Sequence, residues 1–350
     1  MRLDRRTFTQ GLMTVWLSPS TTIAVIDDGP DPEFDRVVAL LEDWVGRRQR
    51  GPGVSVGWLV DDGALWAWRG VMSAGDSREL TLETLFAIGS LAPVFTGLLL
   101  TDAVLRKEVE LADPVRLYLP PGTKVPTYRG HEITLLDLAM QTSGLPQEFP
   151  VDSTSSLLDF LSRLELPAPI GEHWARSGLN YELIGMALSN VTGMSYESLI
   201  QKRIAKPLYL RHTGTQELAA YLADRRARPH LDHDTPSPGL TAPPILGAWH
   251  SSVSELTRFL MHAATDANSP LSDAFAAMLQ TTHPAPALNG EQAIGWAIDR
   301  SGADARVYCS GIAAGFASAM MFIPGAGRGV VALGNSSATI DGLALEILGS

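Results

Sequence analysis

The chain has 350 residues, of which 45% are hydrophobic and 19% charged, a balance typical of a globular protein with a large core. Its formal net charge of −11 argues against nucleic acid or an anionic lipid surface as a main partner, because both select basic faces. The single cysteine, Cys309, excludes an internal disulfide framework and any metal site built from several cysteines.

The N-terminus resembles a twin-arginine export signal, because Arg5-Arg6-Thr7-Phe8 is followed by a weakly apolar run over residues 11–17. We therefore predict a signal segment over residues 1–26 and a periplasmic or extracytoplasmic location. A Ser-Pro pair at 18–19 interrupts the run and residues 22–24 form a poor cleavage site, so a cytoplasmic protein is the alternative. No other segment approaches the ~18 to 20 apolar residues that span a bilayer, which predicts no transmembrane span.

The spacing of apolar and turn residues predicts the main elements in chain order. Residues 34–50 carry apolar side chains on one helical face, and residues 95–105 form a strongly apolar core helix. Apolar runs over 54–60 and 64–68, joined by an Asp-Asp-Gly turn, predict a β-hairpin. Further predicted elements are short helices and Pro- and Gly-rich loops over 105–245, a polar surface excursion over 219–244, a helix over 251–264, strands over 296–298, 307–309, 317–323 and 329–333, and a helix over 339–348.

Strands at both ends with helices between them predict an α+β fold. In this fold an antiparallel sheet is built from both termini and flanked by helices, and a mostly helical region is inserted. We expect one domain over residues 31–350. Its sheet region would span about 31–100 and 245–350, and its helical region about 101–244.

A series of motifs resembles the serine β-lactamase and penicillin-binding-protein superfamily, in its class C β-lactamase, esterase and D-Ala-D-Ala carboxypeptidase-like branch. The motifs are Phe86-Ala87-Ile88-Gly89-Ser90, Asp113-Pro114-Val115 with Tyr118-Leu119-Pro120, Gln141-Thr142-Ser143-Gly144-Leu145, Tyr181-Glu182-Leu183-Ile184-Gly185, Val191-Thr192-Gly193, residues 251–259 and Gly315-Phe316. They follow one another in the family's order over nearly the whole chain after residue 34. The resemblance therefore implies a β-lactamase/transpeptidase-like fold.

The same resemblance implies where catalysis would occur and shows that most of its side chains are replaced. Ser90 stands in the nucleophile's place, but Pro93 stands where a lysine normally helps to deprotonate that serine. Arg176-Ser177-Gly178 replaces the usual Tyr-x-Asn, and an arginine has only donors and cannot act as a base. Cys309-Ser310-Gly311 replaces the usual Lys or His, then x, then Gly.

These replacements are large enough to abolish the usual chemistry. A positioned acid or base is worth ~10² to 10⁴ in rate, and groups that act as a unit can cost ~10⁶ when one key member is lost. Backbone oxyanion donors, here the N–H groups of Ser90 and Ile312, would still leave ~10³ to 10⁴ over water. We therefore expect acyl-enzyme chemistry to be absent or vestigial.

Each candidate residue also has a structural interpretation. Ser90 is either a vestigial nucleophile or a helix cap, since serine is a preferred cap and proline is tolerated in a first helical turn. Arg176 either binds a carboxylate or phosphate in the cleft or is an ordinary surface arginine. Cys309 is either a reactive thiol or, as we favour, a small residue on a strand. Pro93, Ser177, Ser310, Gly311 and Ile312 complete the predicted cleft.

The histidine-rich run His230-Leu231-Asp232-His233-Asp234 could suggest a metal, but it lacks a third ligand of fixed spacing. We interpret it as a solvated loop and predict no metal and no cofactor. Whether His173 or His250 reaches the cleft and replaces the lost base is left open by the sequence.

Three functions remain in competition. The leading one is a pseudoenzyme that binds a small molecule or peptide, with an anionic ligand as one option, or a protein partner through the inherited cleft. The second is an atypical serine hydrolase, an esterase, D-amino peptidase or weak β-lactamase, that uses Ser90 with non-standard support. The third is a structural or interaction role, with a protein partner in the cell envelope.

Overall fold

The structure is a computed structural model that describes residues 23–24, 32–60, 63–147, 154–215, 222–239, 249–265, 268–313 and 315–349. Most of the predicted signal segment, 1–26, therefore lies outside the described residues. So do both aspartates of the predicted hairpin turn and part of the predicted surface excursion, 219–244.

The described strands belong to one large sheet and two small ones. They are β1 (Ile23–Ala24), β2 (Gly53–Val60), β3 (Gly63–Gly70), β4 (Leu85–Ala87), β5 (Thr127–Tyr128), β6 (His131–Glu132), β7 (His250–Ser252), β8 (Thr282–Ala285), β9 (Gly290–Ala293), β10 (Ala297–Asp299), β11 (Arg306–Ala313), β12 (Phe316–Ile323) and β13 (Arg328–Gly334). The large sheet is antiparallel and has the order β1-β3-β2-β13-β12-β11-β10-β9-β8. Strands β4 and β7 form one small sheet, and β5 and β6 form the other.

The described α-helices lie on the faces of the large sheet and in the inserted region. They are α1 (Pro32–Glu42), α2 (Ala92–Leu105), α3 (Leu135–Ala139), α4 (Thr154–Arg163), α5 (Gly178–Thr192), α6 (Tyr196–Ile200), α7 (Val253–Ala264), α8 (Ser272–Gln280) and α9 (Asp341–Leu348). No helix of the described residues is both long enough and apolar enough to cross a bilayer.

Strand β12 shows how the two faces of the sheet are covered. Its sequence is almost continuously apolar, and all of its residues are buried. Since successive side chains point to opposite faces, Met320 and Phe322 pack into the core that contains α2 and α7, and Met321 and Ile323 pack into the core that contains α1 and α9. A strand enclosed on both faces cannot show the alternation of polar and apolar residues that marks a half-exposed strand.

The predicted fold class is confirmed, because the two ends of the chain meet in one sheet. Strand β2 pairs with β13, so that Val54 lies opposite Gly334 and Trp58 opposite Val330. The predicted hairpin corresponds to β2 and β3, and the predicted core helix corresponds to α2. Between the two halves of the sheet, the described part of the inserted region contains α3 to α6.

Several local predictions need correction. The predicted helix over 34–50 ends as an α-helix at Glu42 and continues as a π-helical turn, Asp43–Arg47. Strands β8 and β9 were not predicted, since they are only four residues long and contain proline and polar residues. Ile23–Ala24 pairs with β3, although these residues lie inside the predicted signal segment.

Candidate functional site

The turn that carries Ser90 connects the small sheet to the core helix. Strand β4 leads into a 3-10 turn, Gly89–Leu91, which packs against β11 and β12. The carbonyl of Trp249 accepts a hydrogen bond from the Ile88 N–H at 2.8 Å and fixes the entrance to this turn. The N-cap of α2 is Leu91, whose own side chain makes no capping hydrogen bond. Ser90 therefore lies one residue before the cap, and its two predicted roles, vestigial nucleophile or helix cap, stay predictions.

Pro93 occupies the second position of α2, where a missing N–H leaves no helical hydrogen bond unmade. Its carbonyl lies against Gly295, in the loop between β9 and β10. A Cβ atom on Gly295 would stand 2.8 Å from the Pro93 oxygen, and its φ of +78° also favours glycine. The first turn of α2 is thus closely packed against a tight loop.

Tyr181 links this loop to the inserted region. Its hydroxyl accepts a hydrogen bond from the Gly295 N–H at 2.7 Å and donates one to the Ala139 carbonyl at 3.0 Å. Burial raises the pKa of the Tyr181 hydroxyl, and the Gly295 N–H opposes that rise only in part. Tyr181 therefore stays neutral near pH 7.

The loop that carries Arg176 is held by Gln141, whose φ of +60° is unusual for a residue with a side chain. The Gln141 carbonyl accepts from the Ala175 N–H at 2.8 Å, and its side-chain oxygen accepts from the Ser177 N–H at 2.8 Å. The Trp174 indole donates to Gln292 on β9 at 3.0 Å. These contacts fix the loop between the inserted region and the sheet.

Arg176 reaches β11, the strand that carries Cys309-Ser310-Gly311. The residue is exposed, and its Nη2 lies 3.5 Å from the Ser310 carbonyl on β11. Ser177, the neighbouring cleft candidate, is fully buried and donates its hydroxyl to the Pro146 carbonyl. The side chain of Ser177 thus faces the protein interior, and its place in the cleft stays a prediction.

The second half of β11 has an open edge, in the sense that no described strand pairs with it on the side of β10. Strand β10 pairs with Arg306, Val307 and Tyr308 of β11. Its pairing with β11 does not extend to residues 309–313. On the other side β11 pairs with β12 along its whole length. Ser310 and Gly311 are partly exposed, and Ile312 is 45% exposed. The edge predicted to flank the cleft is thus accessible and rich in backbone donors and acceptors.

Cys309 lies at the start of this edge and, being partly buried, packs against the core that contains α2 and α7. Burial raises the pKa of its thiol to about 11; Arg176 lowers it, and Asp341 adds a smaller rise. A reactive thiol needs a lowered pKa, so the interpretation of Cys309 as a packed strand residue fits this environment better.

We expect Cys309 to react slowly with iodoacetamide in the native protein. With a pKa of about 11, its thiolate fraction at pH 7.5 is about 300-fold below that of an ordinary thiol. Intact-mass kinetics would measure the rate, with the protein unfolded in guanidinium as the control. Native alkylation as fast as that of the unfolded chain would contradict the raised pKa.

The histidines considered in the sequence have different surroundings. His173 is exposed on the loop before Arg176. His250 is buried in β7, where it lies opposite Ala87. In the run 230–234, His230 is fully buried, which corrects the interpretation of the whole run as a solvated loop. The described residues contain no group of three or more side chains of the metal-binding types arranged to hold a metal.

The structure therefore brings three predicted segments together. The turn Gly89–Leu91 packs on β11, and Arg176 contacts the same strand at Ser310. Sequence reasoning missed the supporting roles of Gln141 and Gly295. Gln141 stood in a recognised motif, but its role depends on contacts with residues more than 30 positions away.

A sequence model of the family described as Beta-lactamase matches residues 28–346. The chain belongs to the beta-lactamase family. Escherichia coli (strain K12) D-alanyl-D-alanine-carboxypeptidase/endopeptidase AmpH is 33% identical over 196 residues, which are 52% of this chain and 50% of AmpH. A protein named Beta-lactamase from the same strain is 32% identical over 169 residues, 47% of this chain and 44% of the relative. The chain thus spans about half the length of these curated relatives.

Solved structures of the beta-lactamase family share the fold. A class C beta-lactamase from Rhodobacter sphaeroides superposes with a TM-score of 0.76 at 23% identity, covering 90% of this chain and 98% of that one. A beta-lactamase/D-alanine carboxypeptidase from Pseudomonas syringae gives a TM-score of 0.79 at 21% identity, with coverage of 90% and 98%. At this identity the likeness establishes the fold, and the chemistry has to be argued from the chain's own residues.

Proposed function

We propose that this member of the beta-lactamase family has lost standard acyl-enzyme catalysis and binds an anionic small molecule or peptide in its inherited cleft. The contact of Arg176 with the open edge of β11 carries the proposal. Arginine has five N–H donors in a planar fork that suits carboxylate or phosphate. Because Arg176 is exposed and uses Nη2 on Ser310, its other donors remain accessible to a ligand at that edge.

The loss of catalysis is argued from the residues at the family's catalytic positions and from Tyr181. Pro93 has none, Arg176 cannot take a proton, and Cys309 has a raised pKa. Tyr181 is also kept neutral by burial. A serine hydroxyl is a weak nucleophile at neutral pH unless a base activates it.

An atypical serine hydrolase is the second candidate. Ser90 remains at the position of the nucleophile, and one curated relative is named as a carboxypeptidase/endopeptidase and another as a beta-lactamase. The third candidate is a structural or interaction role in the cell envelope. The proposal also includes export, since the twin arginines at Arg5 and Arg6 precede an apolar run.

Covalent labelling separates the first two candidates. We expect the wild-type chain to gain no mass with a fluorescent penicillin or a fluorophosphonate probe, and Ser90→Ala to behave identically. A wild-type adduct that disappears in Ser90→Ala would establish the hydrolase instead.

Calorimetry with benzylpenicillin, which carries a carboxylate, tests the binding. Binding is expected to survive Ser90→Ala and to weaken by about 10- to 100-fold in Arg176→Ala, since a charge-assisted hydrogen bond contributes about 1.5–3 kcal/mol. Arg129→Ala, which removes an exposed arginine on the β5–β6 hairpin, is the matched control. If neither Ser90→Ala nor Arg176→Ala changes the binding, the third candidate is favoured.

A further inference from the structure

We infer that His230 is a positioning residue for the open edge of β11, although it lies outside the three catalytic motifs. It is fully buried within a loop that is otherwise largely exposed. Its importance for ligand binding rests on the proposed function, whereas its effect on the position of the edge can be measured without a ligand.

The imidazole of His230 is anchored at both nitrogens. Nε2 accepts a hydrogen bond from the Ala74 backbone N–H at 3.1 Å. Nδ1 lies 2.9 Å from the Arg228 carbonyl and 3.2 Å from the Asn335 carbonyl. Carbonyls only accept, so Nδ1 carries the hydrogen and Nε2 does not. His230 is thereby assigned as the neutral Nδ1–H tautomer.

The backbone of His230 connects the same loop to two other segments. Its N–H donates to the Gly315 carbonyl at 3.1 Å, and its carbonyl accepts from the Ser337 N–H at 3.0 Å. The imidazole and the backbone together tie the loop to residue 74, to the turn after β11 and to the chain after β13. Buried polar groups that are all paired form a rigid junction, because each lost bond leaves a buried donor or acceptor unpaired.

Gly315 transmits this rigidity to the cleft. It lies in the turn between β11 and β12, two residues after the end of the open edge. A Cβ atom at Gly315 would stand 2.6 Å from the Ser237 Cβ, 2.8 Å from the His230 nitrogen and 2.8 Å from the Pro229 Cβ. The loop therefore lies directly on the turn, and a displaced His230 would release the turn and the edge that carries Ser310.

Hydrogen exchange of the full chain, read by mass spectrometry on peptides covering 309–316, tests the inference. His230→Phe keeps a ring but loses both nitrogen anchors. We expect protection at 309–316 to fall by about tenfold or more, with peptides of β2 and β3 unchanged. His230→Gln keeps an acceptor for the Ala74 N–H and is expected to recover most of the protection.

Two controls separate positioning from general loss of stability. His233→Phe changes a partly exposed histidine on the same loop and is expected to leave the exchange unchanged. Leu343→Ala opens a cavity in the core that contains α1 and α9. It is expected to destabilise the whole chain without selectively increasing exchange at residues 309–316. Exchange in His230→Phe that is unchanged, or that rises equally in all peptides, would overturn the inference.

If His230→Phe does not fold, Gly315→Ala perturbs the same junction from the other side. Its methyl group would collide with the loop, so a selective loss of protection at 309–316 is again expected. Unchanged protection there would overturn the inference. Calorimetry with benzylpenicillin is run in parallel. If the wild type shows no binding, the proposed ligand class fails, while the exchange result still decides the role of His230.

Discussion

If standard catalysis is lost as proposed, restoring the family's catalytic side chains is expected to create penicillin acylation. The variant combines four changes: Pro93→Lys, Arg176→Tyr, Gly178→Asn and Cys309→Lys. Since a positioned base or acid contributes about 10² to 10⁴, we expect the combined variant to acylate at least about 100-fold faster than the wild type. Intact-mass time courses with a fluorescent penicillin would measure both rates.

The position of Pro93 makes the first of these changes feasible. It lies in the first turn of α2, where the N–H that lysine adds needs no helical partner. The residue is also partly exposed, so a lysine has access to solvent. Each single change is expected to raise the acylation rate only slightly, because the effects of groups that act as a unit are strongly non-additive.

The matched control for the restored variant adds Ser90→Ala and is expected to remain unlabelled. If the wild type already acylates as fast as the restored variant, loss of catalysis is refuted. If the combined variant folds but stays inactive, the cleft differs from that of active relatives in more than these four side chains.

Tyr181→Phe is expected to destabilise the chain by about 2–4 kcal/mol. The change keeps the ring but leaves the Gly295 N–H and the Ala139 carbonyl without their partner. An unsatisfied buried group costs about 1–3 kcal/mol, and two are created here. Equilibrium unfolding in urea would measure the difference in the free energy of unfolding between wild type and Tyr181→Phe, provided that both have the same m-value.

Tyr209→Phe provides the control for Tyr181→Phe, because Tyr209 is 68% exposed. Its change is expected to leave the free energy of unfolding within about 0.5 kcal/mol of wild type. A Tyr181→Phe variant as stable as the control would show that water or a shifted backbone satisfies both groups. The loop around Gly295, and with it the support of Pro93, would then be less rigid than these hydrogen bonds indicate.

Local patterns were sufficient for the long elements. The apolar runs of β2 and β3 and the apolar stretch of α2 predicted these elements within a few residues. The short strands β8 and β9 escaped prediction, because four residues carry too little periodicity and β8 also contains a proline. They are held in the sheet by pairing with each other and with β10.

Within the site, the sequence gives the residue types, whereas their burial and contacts come from the structure. The sequence predicted that Pro93 stands where the family usually has a lysine, and this prediction led to the proposed loss of standard catalysis. The burial of Ser177 and the position of Leu91 at the helix cap were not readable, since both depend on where neighbouring segments pack.

The sequence by itself determined the family and the fold class, and it predicted that Pro93, Arg176 and Cys309 stand in place of the usual base and acid. These follow from residue types in a fixed order, which chemistry can interpret without coordinates. Only the tertiary structure determined that Arg176 reaches Ser310 and that His230 is a buried junction behind the β11 edge. Such contacts join residues more than 100 positions apart, and no local pattern encodes a distance across the fold.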